Sequence, residues 1–244
     1  MSNDIAAKLI IENILNLEQA NKLILEEIHP KVFGVMDKLI EESVTEFDDE
    51  MIGEYNFHED TTWFLSKDWQ QEPFQLEDAK SYKYHYASYQ VWSYSKNDEA
   101  NGWWLSNLFE NEADRANIHF ELWSQGFKKT GQKIWKAFYQ EMNQKFPELE
   151  QTGFKFNTDG AWYLPIKSLD QKVVAENYVS DTLEDALTPI TEALEIVKKA
   201  HPTFKDIVQE AISRFGRYVD EEETDDTPDT KMNDAGALTA STAE

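Results

Sequence analysis

Cysteine is missing from this chain of 244 residues. That excludes a disulfide framework, a thiolate zinc site and a cysteine nucleophile. A reducing cytoplasm is the compartment this composition leads one to expect. Glycine is scarce, with nine residues. No glycine-rich phosphate loop, Gly-x-Ser-x-Gly elbow or HExxH pair is present. The N-terminus lacks the basic and apolar regions of a signal peptide. No apolar run approaches the roughly 18–20 residues that span a bilayer. Positive charge is also in short supply: 23 Lys and Arg stand against 47 Asp and Glu, a net −24. A chain so charged repels nucleic acids and anionic membranes at long range. The expected partner is therefore a basic protein surface, the nucleic-acid-binding site of another protein being one such surface. Direct nucleic-acid or membrane binding is not expected.

The acidity is concentrated. Residues 1–60 hold 15 acids against 4 bases, and residues 220–244 hold 9 against 1. The middle, 61–219, holds 23 against 18 and is nearly balanced. Residues 1–219 read as one α+β domain followed by an acidic tail over 220–244. The tail has almost no large apolar side chain and is expected to be disordered.

Within the domain, residues 1–55 read as an acidic helical hairpin. Ile5, Leu9, Ile10, Ile14, Leu17, Leu25 and Ile28 recur at helical spacing. His29-Pro30 is expected to break that helix and start a second. The second helix buries Val32, Val35, Met36, Leu39, Ile40 and Val44. Asp37, Glu41, Glu42 and Glu46 are expected on its opposite face, followed by Asp48, Asp49 and Glu50. These seven acids are the candidate partner-binding face. The plainer reading is the solvated side of an amphipathic helix.

Residues 56–170 are the aromatic part. Seven of the eight tryptophans fall between 61 and 140. Period-two alternation predicts strands at 80–95, 103–109 and 117–123. A helix is predicted over 134–146, and a hairpin links 154–156 to 162–166 around Asn157-Thr-Asp-Gly160. The fold expected is a central antiparallel sheet crossed by one long helix. Adjacent strand residues point to opposite faces. Trp103 and Trp104 would then both be buried only if both sheet faces were covered, and one of them is a candidate contact for a partner. A subunit that buries one of them against its complex is a second reading.

Residues 171–219 read as a C-terminal helical pair. Leu183, Leu187, Ile190, Leu194 and Val197 form one stripe, and Phe204 to Phe215 another. His201-Pro202-Thr203 is the expected break between them.

Catalytic and metal readings are thin, and no catalytic residue, metal ligand or cofactor is assigned. His119 and Glu121 project from one strand face and are the best acid–base pair. Asp68 with Asp78-Ala-Lys80 is the best carboxylate pattern, but Asp/Glu-x-Lys occurs no more often than composition allows. Lys128, Lys129, Lys133 and Lys136 form the one basic cluster, suited to a phosphate group or to the acidic tail. The function that composition favours is a non-enzymatic acidic binding protein acting as inhibitor or regulator. The alternative is an enzyme or small-ligand binder built on the aromatic domain.

Overall fold

In a computed structural model, the described residues are 3–57, 61–71, 84–93, 104–109, 116–128, 130–157 and 161–218. They form an α+β domain. The helices are α1 (Asn3–Glu12), α2 (Ile14–Leu23), α3 (His29–Thr45), α4 (Trp104–Phe109), α5 (Gln132–Lys145), α6 (Glu148–Gln151), α7 (Gln171–Ser180), α8 (Leu183–Ala186) and α9 (Thr188–Phe215). The strands are β1 (Met51–Tyr55), β2 (Thr62–Ser66), β3 (Ala87–Ser93), β4 (Ala116–Leu122), β5 (Lys155–Phe156) and β6 (Trp162–Pro165). They pair in the order β1-β2-β3-β4-β6-β5, every pair antiparallel.

Because side chains alternate across a strand, the register fixes two rows. The inner row runs Gly53, Phe64, Tyr89, Phe120, Trp162, Phe156. Its four central aromatics are fully buried. The outer row runs Glu54, Trp63, Gln90, His119, Tyr163, Lys155. The inner row faces α9. Phe204 stacks on Phe120 at 4.1 Å and meets Tyr89 and Trp162 edge-on. Offset and edge-to-face contacts of this kind add to the burial that holds helix to sheet.

α9 is the long helix that crosses the sheet, and it runs straight through the expected break at 201–203. Ile190, Leu194, Val197, His201, Phe204, Val208 and Ala211 keep steps of four and three residues across Pro202, and all are buried. Burying that unbroken stripe outweighs the roughly 3 kcal/mol a proline costs inside a helix. Thus the C-terminal helical pair is one helix, preceded by the short α7 and α8. Pro189 sits in its first turn.

The N-terminal helices form, but they do not turn back on each other. His29-Pro30 does not end the helix; residues 24–28 form a π-helical turn and α3 follows directly. Pro30 has no N–H, and its ring would press on the carbonyl four residues back. The wider turn relieves this, with the His29 N–H donating to the Ile24 carbonyl. Helical hydrogen bonds also cross Asn13, from Asn13 N to Leu9 O at 3.2 Å and from Leu17 N to Asn13 O at 3.0 Å. The helical run therefore continues from 3 to 45. α3 packs on the body through Val32, Phe33, Met36, Ile40 and Val44, all buried, whereas α2 buries none of its residues.

One predicted strand is a helix. Residues 104–109 form α4, not a strand from Trp103. The run Trp-Trp-Leu-Ser-Asn-Leu-Phe is too short for its periodicity to separate the two. The strands β1 and β2 were not anticipated.

Candidate functional site

The seven acids of the candidate face divide into three groups. Asp37 points inward. It is buried and accepts from the Phe57 N–H at 2.9 Å and from the Thr62 hydroxyl. It thereby ties α3 to β2 and the loop before it, so the expectation that it lies opposite the apolar stripe is corrected. The spacing held the clue: Asp37 is four residues after Phe33 and seven before Val44, on the edge of the buried stripe.

Asp49 is also engaged within the protein. It accepts from Lys205 Nζ at 2.7 Å and from the Ser66 hydroxyl at 3.1 Å, and it pairs with His201 Nε2 at 3.0 Å. His201 Nδ1 lies 2.9 Å from the Tyr89 hydroxyl. Burial lowers the His201 pKa and outweighs the opposing pull of Asp49. Burial would raise Asp49, but hydrogen bonds from Lys205 and His201 bring it below its usual value. Burial pushes the Tyr89 phenol well up. Together these fix the protons: Tyr89 donates to Nδ1 of a neutral imidazole, and Nε2–H donates to the Asp49 carboxylate. This chain joins α9 to β2, β3 and the α3–β1 loop. Sequence reasoning missed it because residues 49, 66, 89, 201 and 205 have no linear pattern.

The remaining five acids are exposed. Glu42 pairs with Lys38 at 3.7 Å, Glu46 with Lys198 at 3.5 Å and Glu50 with Lys67 at 2.8 Å. Such pairs are worth about 0–1 kcal/mol and exchange readily with other cations. Glu41 and Asp48 have no ion pair among the described residues.

Beside Glu41 the α3–β1 seam opens into a cleft of about 330 Å³. Gly34, Asp37, Lys38, Glu41, Tyr55 and Asn56 line it. A methyl group added at Gly34 would meet nothing, so the cleft is open there. Burial, then the charge of Glu41, pushes the Tyr55 phenol up to about 12. Its hydroxyl therefore stays protonated. The lining carries the Glu41 carboxylate, the Tyr55 phenol and the Asn56 amide, and also the Lys38 ammonium, which pairs with Glu42. Its acceptors suit a cationic side chain where Lys38 stays turned to Glu42.

The catalytic candidates are not brought to this cleft. His119 and Glu121 take alternate outward positions on β4, as expected. His119 is buried and stacks on Tyr163 at 5.6 Å, and burial lowers its pKa to about 4. Glu121 reaches solvent, and partial burial raises its carboxyl. Asp68 is exposed and lies 3.5 Å from Lys205. Asp78, Trp103 and Lys129 lie outside the described residues, as does residue range 220–244. Trp104 opens α4. Among the described residues no group of three or more His, Asp or Glu is arranged to hold a metal ion. No helix among them is long and apolar enough to cross a membrane.

No family model, curated protein or solved structure matches this chain.

Proposed function

We propose that this is a non-enzymatic acidic binding protein that holds a basic surface of a protein partner against α3 and β1. It would act as an inhibitor or regulator of that partner, for which a nucleic-acid-binding site is a fitting target. A groove built to pair its cations with phosphates accepts carboxylates in their place. The observation that carries this reading is the cleft beside Glu41. There Glu41, with no ion pair among the described residues, stands beside Lys38, itself paired with Glu42 at 3.7 Å, at a concavity large enough for a lysine or arginine side chain. Glu42, Glu46 and Glu50 add exposed acids with weakly held pairs, and Asp48 adds one with no ion pair among the described residues. Asp37 and Asp49 position the face rather than contact the partner.

The test is capture of partners at low and high salt, repeated with Glu41→Lys and Asp48→Lys. The expected result is a basic partner that is bound at low salt, released at high salt and lost on charge reversal. Helicity should be unchanged. A partner indifferent both to salt and to Glu41→Lys would sink the proposal.

A further inference from the structure

The longest apolar surface of the molecule is the N-terminal helical run before α3. Nine large aliphatic side chains between Ile5 and Leu25 are exposed, with Ile11 at 71% and Leu15 at 72%. A soluble surface rarely leaves so many together uncovered. Their order is not random. Ile10, Ile14, Leu17, Asn21, Ile24 and Ile28 step by four, three, four, three and four residues. That is the a/d seam of a coiled coil, preceded by Ala7 at the same spacing. Ile24 and Ile28 are half-buried where the run meets the body; Ile10, Ile14, Leu17 and Asn21 lie in solvent. The opposite side carries Lys8 paired with Glu12 and Lys22 paired with Glu26, each four residues on. That side also carries Ile5, Leu9, Leu15 and Leu23, all exposed, so the regular seam, not the absence of apolar residues elsewhere, distinguishes the apolar side.

We infer that the apolar side is covered by the same helix of another copy of this chain, parallel and in register, with Asn21 facing Asn21. Three observations select this occupant. The first is the seam. With parallel register Asn21 meets its own counterpart at an a position, where two amides satisfy each other. With antiparallel packing it would face an aliphatic d residue and lose its partner. The second is the flanks. Parallel pairing sets each g residue beside the e residue five positions on in the neighbour. Those pairs are Ala6 with Ile11, Asn13 with Glu18, and Ala20 with Leu25. Apolar meets apolar and polar meets polar each time.

The third is area. Parallel pairing would cover Ile10, Ile11, Ile14, Leu17 and Leu25, each 46–71% exposed, on the order of a few hundred Å² from each copy, which is the small, concentration-dependent end of specific interfaces. A membrane surface fits less well. Helices that lie on membranes are rich in Lys and Arg on the polar face, whereas residues 1–28 carry five acids against two lysines. A dimer would still leave Ile5, Leu9, Leu15 and Leu23 exposed on its outer side, so the assembly holds at least two copies.

This inference is independent of the basic-partner reading, and salt separates them. Like-charged helices should associate more strongly as salt rises, while a basic partner should be released. The test is sedimentation equilibrium of the full chain at micromolar concentrations, expected to give a multiple of the 28.4 kDa chain mass. Ile14→Glu with Leu17→Glu should shift it to the monomer at least tenfold in association constant, with helix content of the body retained. Since the natural chain has no cysteine, Asn21→Cys gives a clean register probe. It should oxidise to a dimer linked through residue 21 in high yield. A monomer throughout the concentration range, or an oligomer unmoved by the double charge substitution, would overturn the inference. So would an oligomer whose Asn21→Cys form fails to cross-link.

Discussion

Two helical stretches of similar length, residues 3–28 and α9, carry comparable numbers of apolar residues and meet opposite fates. α9 buries ten residues against the sheet and α3. The N-terminal run buries almost nothing. The two helices also differ in what each has on its flanks. The charges of α9 reach other elements: Lys198 to Glu46, Lys205 to Asp49, and Arg214 to Glu141 with two hydrogen bonds, at 2.6 and 2.8 Å. Among the described residues, the charges of the N-terminal run pair only within their own helical run. Apolar periodicity tells which side of a helix seeks cover. The flanks tell whether that cover is in the same chain.

The sharpest way to break this contrast is truncation on each helix. Phe204→Ala removes the ring that stacks on Phe120 and meets Phe154 at 5.0 Å. It should cost roughly 3–5 kcal/mol, as deletion of a fully buried aromatic does. Leu17→Ala, on a side chain 46% exposed, should change the stability of the body by under about 0.5 kcal/mol. Denaturant unfolding of both variants, below the concentration at which copies associate, checks the pair. Equal losses would mean that the N-terminal run docks on the body.

A smaller effect follows from two of the buried histidines, His201 on α9 and His119 on the outer sheet row. The unfolded state takes up protons near pH 6.5. Folded His119 holds off until about pH 4, and His201 is also lowered. Stability is therefore full above pH 6.5 and falls as pH drops toward 4. The His119 share is roughly 3 kcal/mol. His119→Gln should flatten the pH profile of unfolding between 6.5 and 4. The N-terminal run contains no histidine, so its removal should leave that profile unchanged. A profile equally steep in His119→Gln would refute the assignment.

How much of this was legible in the sequence depends on whether the deciding contact was local. The helix from Gln132, the strand around His119 and the hairpin of β5 and β6 each follow from a pattern within one segment. The break expected at His201-Pro202 did not occur, because a stripe spanning both sides of the proline gains more from burial than one turn loses. Trp104 to Phe109 forms a helix because a six-residue run cannot declare its period. β1 and β2 escaped notice since Met-Ile-Gly-Glu-Tyr and Thr-Trp-Phe-Leu-Ser do not alternate cleanly; Leu65 on the outer side is as buried as Phe64 on the inner. At the candidate site, the acidity of α3 was evident. The inward turn of Asp37 was readable by counting from Phe33. The Asp49 network was not, because its members join only when α9 crosses the sheet.

Asp49→Asn tests that network with an intermediate effect. Lys205 would lose its main acceptor and His201 its carboxylate. The lysine is partly solvated and retains Asp68 at 3.5 Å. The expected loss is roughly 1–3 kcal/mol, that of a buried hydrogen-bond partner removed. His201 should then resist protonation still more, moving its NMR titration to lower pH. A titration that moves upward would show that Asp49 is not its partner.

The smallest effect is expected at the other end of the chain. Residues 221–244 hold eight acids, one lysine and hardly a large apolar side chain. A segment of this composition offers little apolar surface to bury. Deleting it should leave the melting temperature within a few degrees, in contrast to any truncation on α9. What remains should be electrostatic and local. The chain reaches the tail beside the basic cluster: Lys128 N donates to Gly216 O at 3.3 Å, and Tyr218 N donates to Gly126 O at 3.1 Å. Any attraction between the acids that follow Tyr218 in sequence and Lys128 should act at low salt and be screened at high salt. The deletion should therefore lower the melting temperature slightly at low ionic strength and not at all at high. A loss that persists in high salt would mean that the tail packs on the body by contacts other than charge.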